Sequence, residues 1–445
     1  MIRSSRIAAA VAAMGLVLPL ACVTSAVCAA GLSATEQRVV KAATAETPRA
    51  IELLETLVNL NSGSLNPEGV KRVGDVMRAQ LEPLGFKVEW VPMTEVGRAG
   101  HLIARHAGTG HGKRVLLIGH MDTVFEPDSP FQKFIRKGDT AEGPGVNDMK
   151  DGLAIMVSAL RAMKRAGTLA PAHITIVLSG DEESPGKPVE VSRRDMRAAA
   201  AESDVALEFE SLAQDVDKNG GKVDMGTIAR RGFTSWRLVT SAKSGHSSGM
   251  FSDDAGYGAI YELSRILDGF RREAREPNAT FNVGMIAGGA SAKLEAGDDS
   301  ASASGKSNII PATAIATGDL RTLSVEQTRR VEQKMRAIVA QHLPGTKAEI
   351  TLEDEYPAMA PTEGNRKVLA LLNGVNRDLG LPQMGELDPL KRGAGDIAFV
   401  ADKVDALVGF GAAGHGSHAP GETVDLTSFD RQIKRTALLI GRLAQ

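Results

Sequence analysis

The stretch that decides the fold is residues 114–122, RVLLIGHMD. Residues 114–119 form a short apolar run, typical of a buried β-strand, and the run ends at His120-Met121-Asp122. In an extended chain, His120 and Asp122 point to the same side. A histidine with a carboxylate beside it is the pattern of a metal ligand and its orienting group. Taken alone, such a histidine is more often an ordinary loop residue.

A helix and a second buried strand follow this stretch. Apolar residues recur at helical spacing through residues 151–165, and Gly167 can end that helix. Residues 173–178, HITIVL, are a second apolar run of strand length. This β-α-β order predicts an open, largely parallel α/β sheet, in which the carboxyl ends of the strands meet at one edge.

Acidic residues gather at the ends of these predicted elements. Residues 143–152, GPGVNDMKDG, form a rigid turn before the helix. If Asp151 caps the helix, Asp148 is free to reach a site beyond the sheet, although either acid could be the cap. Residues 179–183, SGDEE, place adjacent acids at the end of the second strand, which is costly unless cations neutralise them. A solvated acidic loop is the more common fate of such a run.

Two further candidate ligands come as pairs of alternatives. Glu208 and Glu210 close another short apolar run, and His415 and His418 lie in the glycine-rich stretch 409–422, GFGAAGHGSHAPGE. The residues alone do not choose within either pair. Histidine and carboxylate ligands suit zinc, and one ligand from each pair would give five in all, more than one tetrahedral ion needs. Two ions that share a bridging carboxylate are therefore expected.

Length, charge and composition limit the possible functions. A chain of 445 residues exceeds the roughly 250–300 residues that one core supports, so two domains are expected. A formal net charge of -2 and 4% aromatic residues argue against nucleic acid as a partner. The glycines of residues 143–152 do not form the phosphate-binding pattern of nucleotide enzymes. A catalytically inactive binding protein would lack a ligand or base, and none is missing.

The N-terminal 30 residues have the pattern of a cleavable secretory signal. Basic residues precede the apolar stretch 7–20, and small residues follow it. The apolar stretch is shorter than the roughly 20 residues that a membrane-spanning helix needs. We therefore expect a secreted or periplasmic protein without a stable membrane anchor; an uncleaved anchor is the alternative. Both cysteines, Cys22 and Cys28, lie in this segment, so any metal site must use His, Asp and Glu.

The pattern of elements changes near Thr227. The next residues predict the order β-α-β-β-α-β, with strands and helices at 234–240, 255–270, 280–284, 312–320, 324–342 and 348–353. This order predicts a small α+β domain at residues 228–358, inserted between two parts of the larger domain at 31–227 and 359–445. Residues 295–306, EAGDDSASASGK, are polar and of low complexity and predict a surface loop.

The motifs HMDTV, GPGVNDMKDG, GDEE and GSHAPGE occur in an order and spacing that resembles one family. It is the co-catalytic zinc peptidase family of the glutamate carboxypeptidase, aminoacylase and succinyl-diaminopimelate desuccinylase type, and glutamate carboxypeptidase is the most similar branch. The resemblance covers residues 53–443. It implies a phosphorylase/hydrolase-like mixed α/β sheet flanked by helices, with an inserted ferredoxin-like α+β lid through which a homodimer forms.

The resemblance also implies an activity and a set of site residues. The activity is that of a zinc-dependent carboxypeptidase that releases C-terminal glutamate, or alternatively of an N-acyl-amino-acid deacylase with the same two zinc ions. Glu182 would be the general base for a metal-bridging hydroxide, and Asp122 would orient His120. Asp148 would bridge the two ions. The resemblance also chooses Glu210 over Glu208 and His418 over His415. The implied ligands are therefore His120, Asp148, Glu183, Glu210 and His418.

Substrate contacts are implied for four more residues. The histidine in SGHSSG, His246, would stabilise the oxyanion and, in related dimers, reaches the partner's active site. Asn308 and Arg321 resemble residues that hold the substrate, and Lys222 resembles a lysine for the substrate carboxylate. The segment KRGAGD, residues 391–396, departs from the family's usual GG-x-D turn, a departure that concerns substrate recognition and not the metal site.

Overall fold

The structure, a computed structural model, describes residues 31–295 and 300–445. The predicted signal peptide, residues 1–30, lies outside these described residues. Within the described ranges, no helix combines the length and apolar character that crossing a membrane requires.

Helices and strands alternate through most of the described chain. The α-helices there are α1 (Ala34–Val58), α2 (Pro67–Leu81), α3 (Lys150–Ala166), α4 (Val189–Ser192), α5 (Arg194–Ala201), α6 (Ala259–Gly269), α7 (Val325–Val339), α8 (Glu363–Asp378) and α9 (Ser428–Leu443). The strands are β1 (Lys87–Pro92), β2 (Gly100–His106), β3 (Val115–His120), β4 (Ile135–Lys137), β5 (Thr140–Glu142), β6 (Ile174–Ser179), β7 (Val205–Glu208), β8 (Gln214–Val216), β9 (Lys222–Gly226), β10 (Phe233–Ala242), β11 (Thr280–Gly289), β12 (Ser291–Leu294), β13 (Ala301–Ser304), β14 (Thr313–Arg321), β15 (Thr346–Tyr356), β16 (Gly385–Glu386), β17 (Asp405–Val408), β18 (Gly414–His415) and β19 (Thr423–Asp425).

The sheet with the most strands among the described residues has six, in the order β1-β2-β6-β3-β7-β17. Strand β3 runs parallel to β6 and β7, and β17 runs parallel to β7. At the other edge, β2 is antiparallel to both β6 and β1. The sheet is therefore parallel where the predicted β-α-β unit lies and antiparallel at one edge, which makes it the mixed sheet that the family resemblance implied.

Both faces of this sheet are covered, which explains why its central strands are apolar throughout. On one face, Leu117 and Ile176 pack in a core with helices α1, α3 and α9. On the other face, Leu116 and Ile118 pack against Met196 of α5. Adjacent residues of β3 thus enter different cores, as the two-residue period of a strand requires.

The N-terminal helix begins at a capping signal. Helix α1 begins at Ala34, after a capping box in which Ser33 and Glu36 satisfy each other's backbone N–H groups. Pro48 lies inside this helix. At α3 the prediction is confirmed: Gly167 is the C-cap residue, with a left-handed φ of 78°.

A second, four-stranded antiparallel sheet has the order β11-β14-β10-β15. Helices α6 and α7 pack on it through a separate core that contains Trp236, Leu263 and Met335. The chain order β10-α6-β11-β14-α7-β15 is the predicted β-α-β-β-α-β order. Arg230 and Met359 exchange two backbone hydrogen bonds, at 3.0 and 2.9 Å, where the chain enters and leaves this part. The boundaries at 228 and 358 stay predictions; we call residues 228–358 the inserted segment.

The prediction of a surface loop at residues 295–306 is wrong in part. Residues 301–304 form β13, which pairs with β12 in register from Ser291 opposite Ser304. Serine and alanine give little local strand signal, so the pairing depends on a partner strand outside the polar stretch. The Ser291 and Ser304 hydroxyl groups also hydrogen-bond at 2.8 Å.

Candidate metal centre

The candidate site lies where the parallel strands end. His120 is the last residue of β3, Glu183 follows β6, and Glu210 follows β7. Asp148 precedes α3, whose first turn lies very close to β7. A Cβ at Gly152 would lie 1.9 Å from the Phe209 carbonyl oxygen, so only glycine permits this approach.

The C-terminal loop is joined to the same edge by a small sheet of order β18-β19-β5-β4. Val424 of β19 pairs with Ala141 of β5, just before the turn that carries Asp148. His418 lies in the loop between β18 and β19 and has a left-handed backbone, with φ of 66°. Such a conformation is uncommon for a residue other than glycine and occurs often at functional positions.

The two carboxylate oxygens of Asp148 face two different histidines. Oδ1 lies 3.2 Å from His120 Nε2, and Oδ2 lies 3.2 Å from His418 Nε2. His120 Nε2 is also 3.6 Å from Glu210 Oε1, and His418 Nε2 is 3.0 Å from Glu183 Oε2. Asp148 therefore lies between two pairs of potential ligands, His120 with Glu210 on one side and His418 with Glu183 on the other, as a bridging carboxylate does.

The donor set fits a divalent metal. Potential ligand atoms of His120, Asp148 and Glu183 lie within 4.8 Å of one another, as do those of His120, Glu182 and Glu210. The Glu183 Oε1 atom is buried and has no hydrogen-bond partner among the described residues. Histidine and carboxylate donors at this spacing are ligands that zinc accepts.

The charges of the cluster point the same way. Burial and the charge of Asp148 together raise the pKa of Glu183 to about 7. Burial also raises the pKa of Glu182 well above its usual range, and Glu183 and Glu210 add to that effect. Hydrogen bonds to Asp148 and Glu183 raise the pKa of His418 to about 11. Crowded carboxylates of this kind need nearby positive charge, which protonated histidines or bound cations can provide.

The structure brings Glu210 and His418 to this cluster, and not their alternatives. Glu208 instead accepts hydrogen bonds from Arg230 Nη1 and from the Ile397 backbone N–H, each at 2.8 Å. His415 lies in β18, and its ring makes no contact with the cluster among the described residues, whereas His418 contacts both Asp148 and Glu183.

Asp122 has a wider role in the geometry than orienting His120. Its carboxylate is 3.5 Å from His120 Nδ1, which lies 3.1 Å from the Asp122 carbonyl oxygen. The same carboxylate accepts hydrogen bonds from the backbone N–H groups of Glu182 and Glu183, at 3.0 and 3.1 Å, and from the Ser64 hydroxyl at 2.6 Å. It therefore holds the peptide that carries both glutamates.

Glu422 and Asp151 are structural supports of the site that the sequence did not assign. The Glu422 carboxylate accepts hydrogen bonds from the N–H groups of Asn147 and Asp148, at 2.7 and 2.9 Å, and of Gly145 at 3.2 Å. Burial raises its pKa to about 7. The GSHAPGE motif contained this residue, but only its partners across the fold reveal what it does.

The expectation that Asp151 could cap α3 is wrong. Its carboxylate is buried and accepts from the Ala412 N–H at 2.6 Å, while α3 has no side-chain cap. Asp151 therefore ties the start of α3 to the C-terminal glycine-rich loop. Beside it, the fully buried Lys150 donates to the Leu60 carbonyl oxygen at 2.9 Å.

A buried ion-pair network lies behind Glu182. Arg193 is fully buried and donates to Asp181 at 2.6 Å and to Asp396 at 2.7 Å. Burial lowers the pKa of Arg193, but Asp396 and Asp181 outweigh it and raise the pKa well above the usual range. Tyr356, the last residue of β15, donates its hydroxyl to the Glu182 carbonyl oxygen at 2.7 Å. No local pattern indicates Arg193 or Tyr356 as site residues.

The four residues expected to contact substrate lie outside the ligand cluster. His246 and Asn308 are both exposed, and the Ser247 N–H donates to the Asn308 carbonyl at 2.9 Å. Arg321 ends β14 and pairs with Asp319 at 2.9 Å. Lys222 is exposed at the start of β9. Their roles stay predictions.

A mixed sheet whose strand ends gather histidine and carboxylate side chains able to hold a metal, beside an additional glutamate, is typical of metal-dependent hydrolases. Residues 116–442 match the model of peptidase family M20/M25/M40, and the chain belongs to that family. The family resemblance inferred from the motifs is thereby confirmed.

Curated relatives agree with this assignment. The chain is 28% identical over 410 residues to carboxypeptidase G2 of Pseudomonas sp., covering 90% of each chain. It is 25% identical over 390 residues to a succinyl-diaminopimelate desuccinylase of Gluconacetobacter diazotrophicus, covering 85% of this chain and 93% of the relative.

Solved structures show the same fold. An aminopeptidase from Bacillus cereus matches with a TM-score of 0.71 at 17% identity, covering 90% of this chain and 99% of that one. A dinuclear metal-binding peptidase of family M20 from Bacillus subtilis matches with a TM-score of 0.62 at 16% identity, covering 90% and 98%. The chain is thus a hydrolase of a metallopeptidase family.

Proposed function

We propose that this chain is a carboxypeptidase that uses two zinc ions per subunit and releases a C-terminal residue such as glutamate. The observation that carries the proposal is Asp148, whose two oxygens face His120 and His418 at 3.2 Å each. The proposed ligands of the two ions are His120, Asp148, Glu183, Glu210 and His418. The similarity to carboxypeptidase G2 over 90% of both chains favours a carboxypeptidase within the family.

Zinc bound there would lower the pKa of a water molecule to about 7 and polarise the scissile carbonyl group. Glu182 is the proposed general base: its carboxylate takes the proton of the attacking water and returns it to the leaving amine. Its peptide is held on both sides, because Asp122 accepts from its N–H at 3.0 Å and Tyr356 donates to its carbonyl at 2.7 Å. This support fixes the backbone from which the carboxylate extends towards the proposed metal site.

His246 is the proposed oxyanion donor. Its Nδ1 accepts a hydrogen bond from the Ser248 N–H at 3.2 Å, so in the neutral ring the proton lies on Nε2. That N–H is a donor on an exposed side chain, available to a substrate oxygen. Asn308, Arg321 and Lys222 are proposed to hold the substrate.

A homodimer through the inserted segment is proposed as well. Strand β11 is an edge of its sheet, and Val283 and Ile286 on it are 38% and 58% exposed. Phe251 and Tyr261, whose rings are in contact, are 57% and 52% exposed on the same segment. Exposed apolar side chains beside a strand edge are typical of association surfaces. Sedimentation analysis of the purified protein, with Ile286→Lys as the weakened variant, measures this association.

Export is proposed from the N-terminal sequence alone. A mature protein whose N-terminus, read by mass spectrometry, begins near residue 30 would support it. Nucleic acid is not expected among its partners, since the chain carries a formal net charge of -2.

Turnover of peptides with C-terminal glutamate, against N-acyl-amino acids, separates the proposal from its alternative. That alternative is an N-acyl-amino-acid deacylase, favoured by the similarity to succinyl-diaminopimelate desuccinylases. Both activities should disappear with a chelator and return with zinc, and metal analysis should find about two ions per chain. Full activity after complete metal removal would refute the metal-dependent mechanism.

A further inference from the structure

Four arginines lie in or beside the loop of residues 389–395, which is part of the connection from β16 to β17. We call them the arginine cluster: Arg392 in the loop itself, and Arg230, Arg231 and Arg321 next to it. Arg230 donates to the Gly393 carbonyl at 2.9 Å, and Arg231 donates to the Leu390 carbonyl at 3.3 Å. A Cβ at Gly393 would lie 3.8 Å from Arg321 Nη1. Four guanidinium groups are thus gathered near one loop.

Two of these cations have anionic partners within the protein. Arg230 lies 2.8 Å from Glu208 and 3.7 Å from Glu210. Arg321 lies 2.9 Å from Asp319. Their charges are therefore compensated by the fold itself.

Arg392 is bonded differently. Its Nη1 donates to the Ser211 hydroxyl at 3.2 Å, and its Nη2 donates to the Ser211 carbonyl. Both acceptors are neutral, and its Nε is buried without a partner among the described residues. A guanidinium has five N–H groups and stays protonated in proteins, so the half-buried Arg392 keeps N–H groups for a further acceptor, and no carboxylate of the described residues pairs with it directly. Burying such a cation is costly unless an anion joins it.

The position of Arg392 is next to the metal centre. Ser211, which it contacts, directly follows the proposed ligand Glu210. Burial and the charge of Arg230 lower the pKa of Arg392, while the carboxylates of Glu210 and Asp148 act in the opposite direction. An anion bound by Arg392 would therefore lie beside the groups that act on the scissile bond.

Arg231 is the other member of the cluster whose buried Nε has no partner in the part of the chain that the structure describes. Burial and the charge of Arg321 lower its pKa, and the carboxylates whose charges oppose that shift are Asp319 and Asp388. Neither belongs to the metal centre, so Arg231 is placed worse than Arg392 to contact a reacting substrate.

We propose that Arg392 binds a carboxylate of the residue that the enzyme releases; if that carboxylate is the side-chain one, Arg392 also selects an acidic leaving residue. The forked guanidinium matches a carboxylate with two parallel hydrogen bonds. The bound group is either the α-carboxylate or the side-chain carboxylate of a C-terminal glutamate. This inference rests on the proposed function.

Kinetics of the zinc-loaded enzyme on three substrates test the inference: N-acyl-glutamate, its glutamine analogue and its α-amide. For Arg392→Gln, we expect kcat/KM on N-acyl-glutamate to fall roughly tenfold to a hundredfold, the effect of losing a charge-assisted hydrogen bond. The loss should vanish on whichever analogue lacks the bound carboxylate, which identifies the carboxylate. Arg392→Lys keeps the charge but loses the forked guanidinium, so its kcat/KM on N-acyl-glutamate should lie between those of the wild type and Arg392→Gln.

Lys391→Gln is the matched control, because it removes the adjacent charge from the same loop, where the exposed Lys391 pairs with the half-buried Asp215 at 2.7 Å. Its kcat/KM on N-acyl-glutamate should stay within about twofold of the wild-type value, because ion pairs near the surface contribute little. An equal loss for Arg392→Gln on all three substrates would overturn the inference.

Calorimetric titration of L-glutamate separates this inference from the proposed function. Glutamate should bind Arg392→Gln at least about tenfold more weakly than the Lys391→Gln control. If the wild type hydrolyses neither these three substrates nor peptides with C-terminal glutamate, the proposed function and its alternative both fail, and the titration still decides the inference. Equal affinities in the two variants would then reject it.

Discussion

Replacing Arg193 by methionine should be among the most destabilising single changes in this chain. Arg193 and Asp181 are completely buried and Asp396 is 2% exposed, with ion-pair distances of 2.6 and 2.7 Å. Methionine fills most of the volume but leaves both carboxylates without their cation. Removing one partner of a buried ion pair typically costs about 3–5 kcal/mol, a large share of the roughly 5–15 kcal/mol that holds a protein folded.

Urea unfolding, followed by circular dichroism at constant zinc concentration, measures this cost. The neighbouring Arg194→Met is the matched control, since Arg194 is 54% exposed and pairs with the equally exposed Glu95 at 3.2 Å. The control should change the unfolding free energy by less than about 0.5 kcal/mol. Because Asp181 directly precedes Glu182, we also expect Arg193→Met to lower turnover more than the control does.

The pH dependence gives a second check. A buried carboxylate without its cation has a folded-state pKa above its unfolded value, so it destabilises the fold above that unfolded value. The loss of unfolding free energy in Arg193→Met should therefore be larger at pH 8 than at pH 5. A loss below about 1 kcal/mol, or a deficit that grows towards low pH, would refute the claim that uncompensated carboxylates cause it.

Three further changes give sharp expectations. Glu182→Gln should lower kcat by about 10²–10⁴-fold with zinc content unchanged, measured by turnover and metal analysis; near-normal turnover would remove Glu182 as general base. Glu422→Gln weakens the support of the Asp148 peptide and should lower metal affinity about tenfold to a hundredfold in a chelator competition, whereas unchanged affinity would show that the backbone holds Asp148 without it. Asp224 pairs with Arg431 and Arg435 at 2.9 and 2.6 Å, and its pKa is lowered from 3.8 to about 2, with burial opposing these ion pairs. Asp224→Asn should therefore cost about 1–2 kcal/mol at pH 7, and the difference should disappear as the pH falls from about 4 to 2; a pH-independent difference in urea unfolding would contradict this linkage.

Short-range patterns predicted the main elements well. The apolar runs before His120 and Asp181 are β3 and β6, and the helical spacing after Asp148 is α3, which ends at Gly167 as expected. Hydrophobic periodicity and glycine caps depend on residues close together in the chain, so they can be read without the fold. Strand β13 was missed because its support comes from β12 and not from its own residues.

The sequence by itself determined the class of site: histidine, aspartate and glutamate at strand ends, with no cysteine beyond residue 28, in motifs that resemble a metallopeptidase family. The residues alone left Glu208 or Glu210 and His415 or His418 open, and the family resemblance implied Glu210 and His418, which the structure places near Asp148 or His120. Only the tertiary structure turned Asp151 towards Ala412 and placed Glu422 against Asn147, 275 residues away along the chain. The physical reason is that ligation, ion pairing and burial depend on separations of a few ångströms in space, and local sequence patterns do not specify which distant segments approach each other.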